Sequence, residues 1–174
     1  MSISSRADLT RRLCIDAVFV TVAMMLSYLE VLLPSTLLPL PGFKLGLANV
    51  AVMLAFSLVG KRDAAVVSAI RIALMGLLFG NLSSLFFSAM GGLLAYLTLI
   101  LSHKLLPRAS YVGISVLSAA MHNLGQLLAA VCLYGMSIFL SYLPFLLLAA
   151  CLSGALTGLL LNLSIPTLQR SIRL

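Results

Sequence analysis

The chain has 174 residues, of which 62% are apolar and only 9% are charged. A soluble domain carries about a quarter of its residues as charged side chains, so this composition excludes a water-soluble globule and predicts an integral membrane protein. Eleven Lys and Arg against four acidic residues give a net charge of +7. The basic residues lie in short clusters between apolar segments, which indicates membrane topology and not a nucleic-acid-binding face.

Apolar segments follow one another along the whole chain, and a transmembrane helix needs about 20 such residues. The second and third segments are the shortest and meet at the charged turn 60–63, which predicts a helical hairpin. We therefore expect an all-α polytopic membrane protein, with residues 1–174 forming a single integral membrane domain. Its six predicted transmembrane helices cover residues 13–33, 45–60, 64–80, 83–103, 111–134 and 142–163.

The distribution of basic residues predicts the orientation of these helices. With a cytoplasmic amino terminus, nine of the 11 basic residues fall on the inner side, and the outer connections carry only Lys44. This agrees with the positive-inside rule and places both termini in the cytoplasm of a plasma-membrane protein. The nine inner residues are Arg6, Arg11, Arg12, Lys61, Arg62, Lys104, Arg108, Arg170 and Arg173.

The first outer connection, residues 34–43, holds three of the six prolines and is otherwise largely apolar. Three prolines prevent a continuous helix, and irregular backbone at membrane depth must be buried in protein or line a cavity. Two interpretations remain open: a lid or re-entrant loop over a site, or an ordinary outer loop that dips into the lipid headgroups.

Two ionisable residues are predicted near the middle of the membrane. Arg71 lies ten residues after Lys61, about 15 Å along a helix, and His122 lies 11 residues into the fifth span. Intramembrane ionisable residues are costly, so their common depth on two different helices indicates a functional site.

Other polar residues extend this candidate site. His122 and Gln126 belong to one polar stripe of the fifth helix, and further polar residues lie towards the outer side. The predicted ligand-binding residues are Arg71, His122, Asn123, Gln126, Asn49, Lys44 and Glu30. Structural alternatives remain open for these residues. Arg71 could cap helix carbonyls or pair with Glu30, and Lys44 could extend to the outer interface. Hydrogen bonds between helices are the alternative for His122, Asn123 and Gln126.

The charges of this site indicate its ligand. Arg71 and Lys44 outnumber Glu30, which favours a ligand with a carboxylate or phosphate and an apolar portion. The sequence has no phosphate-binding loop, no cluster of acidic residues for Mg²⁺, no metal-ligand spacing and no Ser/His/Asp set. It therefore predicts no catalytic residue, no metal and no cofactor, and argues against autonomous catalysis.

Several motifs resemble the bacterial Gx transporter family, whose members often carry the label heptaprenyl diphosphate synthase component I. The resemblance covers residues 27–158, and its most specific segments are Lys44-Leu-Gly-Leu-Ala-Asn49 and His122-Asn-x-Gly-Gln126. The others are Glu30 followed by prolines, Arg71 with Gly76 and Gly80, and Ser88-x2-Gly91-Gly92.

That family is similar to the substrate-binding S components of energy-coupling factor transporters. The resemblance implies a six-helix bundle that captures a small ligand from the outer side, powered by a separate coupling protein and cytoplasmic ATPases. The label implies an alternative: a membrane accessory of heptaprenyl diphosphate synthase in menaquinone and isoprenoid biosynthesis. That role requires a catalytic partner subunit, because the chain has no Asp-rich motif. A purely structural assembly subunit is a third hypothesis.

Overall fold

The fold is all-helical, as predicted. A computed structural model describes residues 3–32, 44 and 46–172, and within these ranges it contains six α-helices and no strand. They are α1 (Ile3–Leu32), α2 (Asn49–Leu58), α3 (Lys61–Phe79), α4 (Leu82–Leu105), α5 (Tyr111–Tyr134) and α6 (Ser137–Ile172). The proline-rich segment 34–43, and with it the question of a lid, lies outside the described residues.

Four stretches of these helices are long and apolar enough to cross a membrane, which supports a membrane protein. They are Asp8–Leu32, Leu82–Leu105, Tyr111–Tyr134 and Tyr142–Arg170. The helix α3 has 19 residues but begins with three charged residues and contains Arg71.

The helix α2 is shorter than the apolar run that predicted it. It has ten residues, about 15 Å, which is half the thickness of the hydrocarbon core. Before it, Gly46 has a φ of +83°, a left-handed conformation that favours glycine, and residues 47–48 form a turn. The helix therefore begins inside the bundle, level with other buried polar residues.

This short helix is the centre of the bundle. Every residue from Asn49 to Ala55 is buried, and α2 packs against α1, α3 and α6. The first helix covers it with a face on which Phe19, Ala23, Ser27 and Glu30 are buried. Because these positions recur every three or four residues, Glu30 necessarily points into the bundle and not towards lipid.

Glycines set the spacing of the last three helices. A Cβ added at Gly125 of α5 would lie 2.5 Å from the carbonyl oxygen of Met90, and one at Gly154 of α6 would lie 2.5 Å from the Cα of Val116. Backbones thus touch directly at these positions, as small residues allow in membrane bundles. Large leucines such as Leu77 and Leu163 are exposed on the outer surface, which suits contact with lipid.

Candidate functional site

The segment that leads into α2 is held in place by Gln126 of α5. The Nε2 of Gln126 donates to the carbonyl oxygen of Lys44, and its Oε1 accepts from the backbone N–H of Lys44, both at 3.0 Å. Gln126 is fully buried. Both ends of its side-chain amide are therefore hydrogen-bonded to the protein backbone. Gln126, predicted to bind the ligand, instead positions the segment at Lys44.

Glu30 of α1 and Ser88 of α4 reinforce this attachment. The Oε1 of Glu30 accepts from the backbone N–H of Leu47 at 2.6 Å, and the Lys44 ammonium donates to the Ser88 hydroxyl of α4 at 2.9 Å. Ser88 in turn donates to the carbonyl of Ser84. The Lys44 side chain is thus directed to α4.

The guanidinium of Arg71 is buried, with only 3% of the residue exposed, and is incompletely paired. Its Nη1 donates to the Ser27 hydroxyl at 3.3 Å, while Nε and Nη2 have no hydrogen-bond partner among the described residues. Glu30 attracts Arg71 electrostatically, yet its own Oε2 is also without a partner there. The predicted alternative of a purely structural Arg71–Glu30 pair therefore leaves donors and an acceptor unused.

The two unpartnered nitrogens of Arg71 lie on one edge of its planar guanidinium. The Nε–H and one Nη2–H point in the same direction, and this edge is the fork that binds both oxygens of a carboxylate or two of a phosphate. We call it the open edge of Arg71. Buried donors of this kind are costly unless they are satisfied, so the open edge indicates an oxyanion ligand.

His122 lies beside two glycines. A Cβ on Gly91 of α4 would lie 2.9 Å from the Cε1 of His122, and one on Gly46 would lie 3.5 Å from its Cδ2 and 3.0 Å from the Nδ2 of Asn49. Both ring nitrogens of His122 and the Nδ2 of Asn49 are buried without a hydrogen-bond partner in the described part of the chain. Because residues 46 and 91 are glycines without side chains, there is space for the imidazole of His122 between them.

Arg71 and His122 are related through the adjacent glycines of α4. The Nη2 of Arg71 lies 3.8 Å from the position of a Cβ on Gly92, and His122 lies against Gly91. The two predicted mid-depth residues thus flank the same turn of one helix. We call Glu30, Lys44, Asn49, Arg71 and His122 the polar cluster.

Asn123 faces away from this cluster. Its Nδ2 donates to the carbonyl oxygen of Leu146 on α6 at 2.9 Å, and the residue lines a cavity of about 260 Å³ between α5 and α6. The other six predicted ligand residues contact or adjoin one another, while Asn123 joins two helices. Sequence reasoning missed Ser27, which anchors Arg71, although its spacing from Ala23 and Glu30 places it on the same helix face.

Long apolar helices packed around a buried polar cluster support a helical membrane protein. Residues 19–164, most of the chain, match the family described as heptaprenyl diphosphate synthase component I, and the chain belongs to that family. This confirms the family suggested by the motifs. No curated protein and no solved structure matches the chain.

Proposed function

We propose that the chain is a membrane-embedded, non-catalytic subunit that binds a small anionic ligand in the polar cluster. The open edge of Arg71 is the observation that carries this proposal, because two buried donors on one side of a guanidinium match an oxyanion. The Lys44 ammonium adds a second positive charge nearby, close enough for the charge of Arg71 to act on it.

The remaining unpartnered atoms indicate which other polar groups the ligand carries. Asn49 Nδ2 offers a further donor, whereas Glu30 Oε2 and one neutral His122 nitrogen are acceptors. A ligand that satisfies them carries a carboxylate or phosphate together with a hydroxyl, amine or other donor group. The surrounding helix walls are apolar and accommodate an apolar portion.

The proposed membrane arrangement has six crossings, with both termini cytoplasmic in a plasma-membrane protein. The four long apolar helices and the inner position of nine basic residues support it. In this arrangement α2 crosses only part of the membrane as a helix, and its amino terminus lies at the polar cluster. Half-length helices of this kind direct the positive end of the helix dipole at anionic ligands in transporters.

Two roles follow from such binding, and the family match favours one by name. As a component of heptaprenyl diphosphate synthase, the chain would bind a catalytic prenyl synthase subunit and assist it in the membrane. Co-purification with such a synthase, and activity only in the mixture, would establish this role.

Transport is the other role, favoured by a binding site enclosed at membrane depth. The subunit would capture its ligand from the outer side and be powered by a coupling membrane protein with cytoplasmic ATPases. Ligand uptake into vesicles that requires those partners and ATP would establish it. A wild-type chain that neither binds a ligand nor assists a synthase would point to a structural subunit.

The binding proposal is tested by thermal-shift screening of the purified full chain in detergent. The panel contains small carboxylates, vitamins, flavins, quinone precursors and prenyl diphosphates. A ligand at 100 times its Kd stabilises the folded protein by about 2.7 kcal/mol, a readable shift in Tm. The shift should disappear in Arg71→Met, shrink in Arg71→Lys, and persist in full in the matched control Arg108→Lys, which changes an exposed arginine. No shift with any compound would contradict the proposal.

A further inference from the structure

A groove between α3 and α4 lies directly beside the polar cluster. It has a volume of about 590 Å³, within the range of small-molecule sites. Its walls are almost entirely aliphatic. The small residues Ala69, Ala73, Ala89 and Gly92 line it together with the larger Leu77 and Leu93.

The groove and the open edge of Arg71 meet at Gly92. This glycine lines the groove, and a Cβ placed on it would lie 3.8 Å from the Nη2 of Arg71. The Cδ1 of Ile72 would be nearer, at 2.6 Å. That atom is the end of a flexible side chain, and Ile72 also lines the groove, so it can move where the groove approaches the guanidinium.

The groove is open at the outer surface of the helices. Ala69 and Ala73 are exposed, as are Leu77 and Leu93. A partner helix lying here would leave the buried open edge of Arg71 unsatisfied. A hydrocarbon chain attached to an oxyanion satisfies both features at once, because its head reaches the guanidinium while its tail follows the aliphatic groove.

On these grounds, and resting on the proposed anion site, we infer that the ligand is an amphiphile. Its carboxylate or phosphate head binds the open edge of Arg71, and its single hydrocarbon chain passes Gly92 and lies in the α3–α4 groove. Lipid outside the groove is as apolar as the groove itself, so the chain adds little affinity. The groove instead accommodates the chain and gives such a ligand a sideways route from the membrane to Arg71.

The test uses the full chain in nanodiscs of phosphatidylcholine. The probes are an eight-carbon alkyl phosphate and the matching carboxylate, each with a photoreactive diazirine at the end of the chain. After irradiation, mass spectrometry locates the labelled residues. We expect labels on groove residues of α3 and α4, and their loss in excess methyl phosphate or acetate, which compete for the head site.

Three variants make the test specific. Arg71→Lys removes the fork and should strongly reduce groove labelling. Ala73→Phe fills the groove at an exposed position and should abolish it, whereas Ala17→Phe, an exposed alanine of α1, should leave it unchanged. Gly92→Ala, which pushes on the end of Ile72, should reduce labelling without replacing any polar residue.

The outcomes separate this inference from the proposed function. Labelling that survives both Arg71→Lys and the short competitors would show ordinary lipid contact and overturn the amphiphile site. Stabilisation of the wild type by methyl phosphate or acetate, with labels outside the groove, would retain the anion site and overturn the groove. Absence of both would overturn the two proposals together. If groove labelling is suppressed by added phosphatidate, which has two acyl chains, the groove binds a two-chain membrane lipid and the single-chain inference is overturned. Persistence of the labelling in phosphatidate supports a free single-chain amphiphile.

Discussion

The side-chain amide of Gln126 pairs with both backbone groups of Lys44, at 3.0 Å in each direction. The two residues are 82 positions apart, so this contact fixes the start of α2 against the middle of α5. With the Glu30 bond to Leu47 and the Lys44 bond to Ser88, three helices hold one short segment. The arrangement of the polar cluster depends on these contacts.

Replacing Gln126 with Leu should destabilise the protein and weaken ligand binding together. The change leaves the buried N–H and C=O of Lys44 without partners, which costs about 1–3 kcal/mol for each orphaned group. Unfolding in denaturing detergent, followed by circular dichroism, measures the loss. Asn162→Leu, at an exposed position of α6, is the control. Equal stabilities of the Gln126 and Asn162 variants would contradict the role assigned to Gln126.

Arg71→Lys should lower anion affinity more than it lowers stability. The lysine keeps the charge but cannot present two parallel donors, and a charge-assisted hydrogen bond is worth about 1.5–3 kcal/mol. We therefore expect roughly a tenfold or greater rise in Kd by isothermal titration. Arg71→Met should abolish binding. If binding survives in Arg71→Met, the anion site lies elsewhere.

Gly91→Ala should displace His122. The added methyl would lie 2.9 Å from both the His122 Cε1 and its carbonyl oxygen, so helix α4 or α5 must move, at a cost of about 1–3 kcal/mol. Gly113→Ala is the matched change, because its nearest contact is 3.4 Å away at the Ser110 hydroxyl. Thermal unfolding should separate the two variants. A Gly91 variant as stable as the Gly113 variant would show that α4 and α5 adjust freely.

The proposed topology predicts which connections are reached from each side of the membrane. In a background with Cys14, Cys132 and Cys151 changed to Ser, Met136→Cys should react with a membrane-impermeant maleimide in intact cells. Ala109→Cys should react only after the cells are opened. Both positions are exposed in short connections between helices. Labelling of both from the same side would rule out the six-crossing arrangement.

Much of the fold follows from the sequence because lipid imposes a simple rule. Long apolar stretches interrupted by basic clusters locate the helices, and the ends of α5 at residues 111 and 134 agree with the predicted span. The short α2 could not be obtained in this way. Its apolar run continues through Leu47, and the helix begins only after Gly46 turns the backbone and Glu30 takes up the N–H of Leu47.

Part of the polar cluster could be predicted from the sequence for a similar reason. Arg71 and His122 are predicted at the same depth, and in the structure both are buried against one turn of α4. The sequence predicts Asn123 at the same site as His122, although the side chains of adjacent helical residues point about 100° apart. The structure directs it to Leu146 of α6. The hydrogen bonds of Gln126 to the backbone of Lys44, 82 residues away, depend on tertiary packing, and no local sequence pattern predicts them.

The adjacent glycines of α4 should differ from other positions in how often they are replaced among members of this family. Gly91 and Gly92 carry no chemistry, yet one adjoins His122 and the other adjoins Arg71. A side chain at 91 would press on His122, and one at 92 would press on Ile72 beside Arg71. Substitution rates should therefore be lowest at these two sites, and members that have lost glycine there should have lost or rebuilt the binding function as well.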